Sequence, residues 1–77
     1  LTGGKKDSFQ NLIVSGDIDV GGNVNGGDIN LSNENREKPN EVDGTRGSWT
    51  IQEGDENLFL INRNTGEKYK FVLDKIK

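Results

Sequence analysis

The chain has no cysteine, methionine or histidine, a single proline and a single tryptophan, and only 29% of its 77 residues are hydrophobic. Each shortage excludes something. Without cysteine there is no disulfide, and the redox compartment is left open. Without cysteine and histidine a structural zinc loses its usual ligands. Nucleophilic catalysis loses both thiol and imidazole, and a serine would need a lysine or carboxylate base in a preformed cleft. The paired carboxylates, Asp17 with Asp19 and Asp55 with Glu56, fall on strands and turns, where solvated faces account for them. No enzymatic activity and no cofactor are expected. Long apolar runs and a signal-peptide pattern are absent, so no membrane span is expected. With Lys+Arg at 10 against Asp+Glu at 13, and no basic patch with interleaved aromatics, nucleic acid is not an expected partner. Small domains offset a thin core with a disulfide, a metal or association. Composition excludes the first and nearly excludes a structural zinc, which favours an oligomer or partial disorder.

What is present begins with a repeat. From Leu12, every second residue is Leu12, Val14, Gly16, Ile18, Val20, Gly22, Val24 and Gly26, and most of the residues between are polar or glycine. That is the period of a half-buried strand. At Gly26-Gly27 the phase slips by one and the apolar set resumes as Ile29 and Leu31. A glycine pair suits a corner or bulge at the slip. The phrase returns as Gly16-Asp-Ile-Asp-Val20, Gly22-Asn-Val-Asn25 and Gly27-Asp-Ile-Asn-Leu31, a spacing that predicts short strands with corners, wound instead of flat. Its inward side chains are few and small. One chain cannot bury them, whereas several wound round one axis can.

The remainder divides simply. Residues 1–8 are polar, and Phe9 could plug the start of the winding or stand exposed. Ser32 to Ser48 carries one aliphatic residue, Val42, and the only proline, Pro39, and is expected to be a polar loop or linker. From Trp49 onward the chain holds Trp49, Phe59, Tyr69 and Phe71, and a three-stranded antiparallel meander is predicted. A three-residue turn, Asn64-Thr65-Gly66 with Gly66 left-handed, would set Arg63 opposite Glu67, Ile61 opposite Tyr69 and Phe59 opposite Phe71. A turn at Gly54-Asp55 would set Ile51 opposite Leu58 and Trp49 opposite Leu60. One face would then carry Trp49, Ile51, Leu58, Leu60, Val72 and Ile76. The other would carry Phe59, Ile61, Tyr69, Phe71 and Leu73. A sheet that is apolar on both sides needs two coverings.

Calcium is the one metal with a partial pattern. Asp17, Asp19, Gly22, Val24, Asn25 and Asp28 partly match a twelve-residue calcium loop. Gly21 replaces an oxygen ligand, Asp28 stands where Glu is usual, and no flanking helices are signalled. The glycines are not followed by the Gly-Lys-Ser/Thr of a phosphate cradle. Polar edges of a glycine-cornered winding explain the same residues.

The run Phe9-Gln-Asn-Leu-Ile-Val-Ser-Gly-Asp-Ile-Asp-Val20, followed by Gly-rich Asn-Val-Asn, resembles the shafts of bacteriophage tail fibres and tailspikes. In those families three parallel chains wind into a β-prism or triple β-helix, often ending in a compact β module. The resemblance implies an all-β chain: an intertwined homotrimeric β-helix or β-prism stalk over 1–31, a polar loop over 32–48 and a small antiparallel β-meander over 49–77. It implies a trimer core of Leu12, Val14, Ile18, Val20, Val24, Ile29 and Leu31. The resemblance covers Phe9 to Leu31, and it is the alternation of the last third that gives Trp49, Ile51, Leu58, Phe59, Leu60, Ile61, Tyr69, Phe71 and Val72 as meander core or interface. It implies a virion protein, made in the host cytoplasm, whose partners are its own copies and other tail proteins, with a host glycan or receptor engaged through the parent protein. Two alternatives stand beside it. One is a bacterial surface or cytoskeletal β-helix module, calcium-dependent or polymerising. The other is a carbohydrate-binding module using Trp49 and Tyr69. If Asp17, Asp19 and Asp28 only line solvated edges, excess EDTA leaves the thermal unfolding midpoint unchanged. A fall of many degrees that calcium restores would favour the calcium-dependent alternative.

Overall fold

The computed structural model describes residues 10–77, so Phe9 and the residues before it lie outside the described residues. Four strands form one antiparallel sheet: β1 (Ile29–Ser32), β2 (Ser48–Glu53), β3 (Leu58–Asn62) and β4 (Lys68–Lys70), paired in chain order. The protein is all-β, with no helix among the described residues. The sheet has one strand more than the sequence predicts. Ile29 and Leu31, expected in the stalk, pair instead with Ile51 and Trp49 of β2. They carry the same alternation as the repeat, so periodicity alone could not separate them from it.

The β2–β3 turn closes through the Gly54 N–H donating to the Asn57 carbonyl at 2.7 Å, centring the turn on Asp55-Glu56 instead of Gly54-Asp55. The register therefore pairs Ile51 with Leu60 and Trp49 with Asn62. A shift of two keeps every side chain on its expected face. Gly54 is required for space: a Cβ there would lie 2.5 Å from the ring of Phe59, its diagonal neighbour across the ladder.

The β3–β4 turn has the opposite outcome. Its loop is one residue longer than predicted, Arg63 to Gly66, closed by the Asn62 N–H to the Glu67 carbonyl at 2.9 Å. The side-chain oxygen of Asn62 accepts from the N–H groups of Asn64 and Thr65, an Asx turn that competes with the shorter loop. Gly66 is left-handed as expected, at φ 81°. The expected pairs are corrected accordingly: Phe59 faces Lys70, Leu60 faces Tyr69 and Ile61 faces Lys68. A one-residue slip turns β4 over, so Tyr69 joins the face of Trp49 and leaves that of Phe59 and Ile61.

Burial is sparse. Ile61, at 5% exposure, is the one buried apolar residue among those described, and Thr50, at 0%, is the one fully buried side chain. Thr50 sits in the centre of β2, between Asn30 and Ile61 on the neighbouring strands. Its hydroxyl donates to the side-chain oxygen of Asn30 at 2.6 Å and accepts from Nε of Arg63 at 2.8 Å. Arg63 thus spends its side chain on the sheet, not on Glu67.

The connection between β1 and β2, residues 33–47, is long but ordered. Ser32 and Ser48 pair at its base, which makes it a loop inside the sheet. Arg46 donates to the carbonyls of Asn33, Arg36 and Glu37. Asn40 accepts from the N–H groups of Val42 and Asp43 and donates to the carbonyl of Thr45. Asn33 accepts from the Gly47 N–H at 2.7 Å and donates to the same Thr45 carbonyl.

Before the sheet, residues 10–28 form no strand and bend at Gln10, Ser15-Gly16, Gly21-Gly22 and Gly27. The three bends at glycine begin six residues apart, at 15, 21 and 27. The radius of gyration is 16.1 Å, against about 11 Å for a compact chain of this length. Replacing Gly54 by alanine should lower stability by about 1–2 kcal/mol, because the Phe59 ring must shift. Urea melts of Gly54→Ala alone and combined with Phe59→Leu check this: the penalty shrinks in the double variant.

Candidate functional site

The expected interface residues fall on two surfaces. The first is the repeat. Leu12, Val14, Ile18, Val20 and Val24 are all exposed, from 41% at Val14 to 77% at Val24. They lie on the bent segment ahead of the sheet, with no strand partner among the described residues. The second is one face of the sheet. Ile29, Ile51, Leu60 and Tyr69 stand opposite one another in a single row crossing all four strands. Leu31 pairs with Trp49 on one side of that row. Leu58 lies on the other, and its carbonyl accepts from the Phe71 N–H at 3.1 Å. Trp49 and Tyr69 meet across β3 with ring centroids 6.0 Å apart and planes tilted by 38°, a favoured aromatic arrangement. Ile29, Leu31, Leu58 and Tyr69 are exposed, while Trp49, Ile51, Leu60 and Phe71 are half-buried. The apolar row is thus exposed on the edge strands β1 and β4 and half-buried on β2 and β3.

The opposite face is mostly polar. Asn30, Thr50, Gln52, Lys68 and Lys70 share it with Phe59 and Ile61, and Gln52 donates to Asp28 at 2.9 Å. The sheet is therefore apolar on one side, where the sequence predicted two. Val72, expected with the meander core, lies beyond β4 at 95% exposure, and Leu73 and Ile76 are exposed beside it. Among the described residues, Asp17, Asp19 and Asp28 do not come together as a three-ligand group.

Sequence reasoning missed the loop and its determinants. Arg46, Asn33 and Asn40 shape residues 33–47 through contacts with backbone carbonyls, which leave no periodic signal. The one available clue was the density of Asn, Asp, Thr and Gly, the residues that bond their own backbone in turns. Asp43 accepts from the hydroxyl of Thr45 at 2.7 Å and from its N–H at 3.1 Å. The Thr45 hydroxyl first, and then Asn40, hold its carboxyl below the ordinary aspartate range. Stability from that contact is present at neutral pH and lost as acid protonates Asp43.

Comparison with family models, with curated proteins and with solved structures finds no match.

Tyr69 reports on the apolar face. Its hydroxyl donates to Glu67 at 3.1 Å, and that hydrogen bond, with the carboxylate's charge, raises the phenol above its usual value. Deprotonation would set two negative charges side by side. Tyr69 is the only tyrosine, so absorbance against pH follows it alone. The midpoint should exceed that of a free tyrosine and fall in Glu67→Gln. An equal midpoint in both proteins would mean that the contact is not populated.

Proposed function

We propose that the chain is a structural segment of a trimeric phage tail fibre or tailspike, connecting the tail to a receptor-binding or enzymatic end. The observation that carries this reading is the state of the repeat. Its apolar side chains alternate and lie exposed, and the backbone bends at Ser15-Gly16, Gly21-Gly22 and Gly27. A segment of this kind is stable only when another chain covers those side chains. Bends at regular intervals suit winding around a shared axis. The choice of three chains comes from the resemblance of Phe9 to Leu31 to fibre shafts. The open row of Ile29, Ile51, Leu60 and Tyr69 gives a second surface for the same copies to cover.

In this assembly Leu12, Val14, Ile18, Val20 and Val24 point toward the axis, while Ile29 and Leu31 lie on the apolar face of the sheet. Asp17, Asp19 and Asn23 point to water. An unpaired carboxylate at the axis costs several kcal/mol, and symmetry repeats the cost while placing like charges together.

Light scattering at micromolar concentration should report three times the chain mass of 8.5 kDa. Open-ended growth of mass with concentration would point to the polymerising alternative, and a folded monomer would overturn the assembly. Ile18→Asp should abolish or severely weaken association, while Asp17→Ser leaves it intact. Sedimentation equilibrium on both variants decides the facing: an unchanged Ile18→Asp trimer would make the repeat a surface ribbon.

A further inference from the structure

Two loops rise at one end of the sheet. Residues 33–47 form one wall of an open cleft, and the turn from Asn62 to Thr65 forms the other, with Leu31 and Trp49 between them. The cleft measures about 800 Å³, within the range of roughly 300–1,000 Å³ typical of small-molecule sites.

The longer wall is unusual in what holds it. Its one aliphatic residue, Val42, is 95% exposed, so no apolar burial fixes its shape. Arg46, Asn33 and Asn40 fix it through hydrogen bonds to backbone groups. Ordered loops of this length without secondary structure commonly serve binding. Preorganisation of this kind lowers the ordering cost that a ligand would otherwise meet.

The lining groups separate into those used within the loop and those left over. Arg36 offers only its carbonyl to Arg46, so its guanidinium has no hydrogen-bond partner among the described residues. Asn64 contributes its backbone N–H to the turn, leaving its side-chain amide unengaged in the same sense. Asp43 uses its Oδ1 on the Thr45 hydroxyl and N–H. The indole N–H of Trp49 likewise meets no acceptor among the described residues, and its ring edge lies against Gly47, where a Cβ would come within 3.4 Å.

A half-buried indole, a planar amide, a guanidinium and a carboxylate in one open cleft of mixed polar and apolar lining suit a ligand that is dense in hydroxyls and carries an apolar C–H face. The indole packs against the C–H face of a sugar ring. Amide, guanidinium and carboxylate each engage paired hydroxyls as donors or acceptors. Phosphate-bearing ligands fit less well, because the Arg46 guanidinium is committed to carbonyls and Asp43 adds a negative charge. The geometry points to a binding site for a neutral pyranose, between Trp49, Arg36, Asp43 and Asn64. It depends on the sheet end alone and stands apart from the question of how many chains assemble.

Trp49 is the only tryptophan, so its fluorescence reports the cleft directly. The whole chain is titrated with the methyl glycosides of glucose, galactose, mannose and N-acetylglucosamine. Saturation-transfer NMR on the same mixtures captures any binding that leaves emission unchanged. At least one glycoside should bind saturably, while glycerol should not. Arg36→Ala and Asn64→Ala should weaken that binding about tenfold each, the loss of roughly 1.4 kcal/mol. Both variants leave the hydrogen bonds of the loop and turn in place, so light scattering should return the same mass as for the unaltered chain. Absence of saturable binding by all four glycosides in both measurements overturns the proposal. Equal binding by the unaltered chain and both variants overturns it too, as does a glycerol response matching that of the sugars.

Discussion

The hydroxyl of Thr50 is the point at which three strands are tied together. It donates to Asn30 of β1 and accepts from Arg63 just beyond β3, and no part of the residue reaches solvent. A buried hydroxyl without partners costs stability, so its neighbours are constrained as much as it is. If β1 slipped by one residue, Ile29 or Leu31 would replace Asn30 and the hydroxyl would lose its acceptor. The network therefore selects register where apolar burial is too small to do so.

This arrangement reverses the usual division between faces. In most sheets the apolar side is packed and the polar side is wet. Here the most deeply buried side chain is a threonine on the polar side, and the apolar row from Ile29 to Tyr69 lies open. The loop of residues 33–47 follows the same economy, held by Arg46, Asn33 and Asn40 with no core of its own. Polar groups carry much of the shape of the single chain, and apart from Ile61 its described apolar groups stay half-buried or exposed.

The sequence revealed different parts of this fold to different degrees. The two hairpins were legible because turn residues separate alternating runs. The faces of Trp49, Ile51, Leu58 and Leu60 were legible as well, since a displacement of two preserves them. Tyr69 was not, because the loop length depended on Asn62 capping its own turn, and one residue more or less inverts a strand. Strand β1 was hidden inside the repeat, whose alternation it shares. The cleft was least legible. Its walls meet through chain folding, and Arg46, which shapes one of them, looks in sequence like any solvated cation.

Strand order carries a consequence for how such a chain is made. Neighbours in space are neighbours in sequence throughout the sheet, so each pairing closes a single connection, the longest being residues 33–47, and loop closure costs grow only slowly with length. All of the sheet's pairings lie within one chain, so they form by unimolecular steps, whereas in the proposed assembly cover for the repeat requires an encounter between molecules. In that assembly, crowding of nascent chains on one messenger would speed only the encounter.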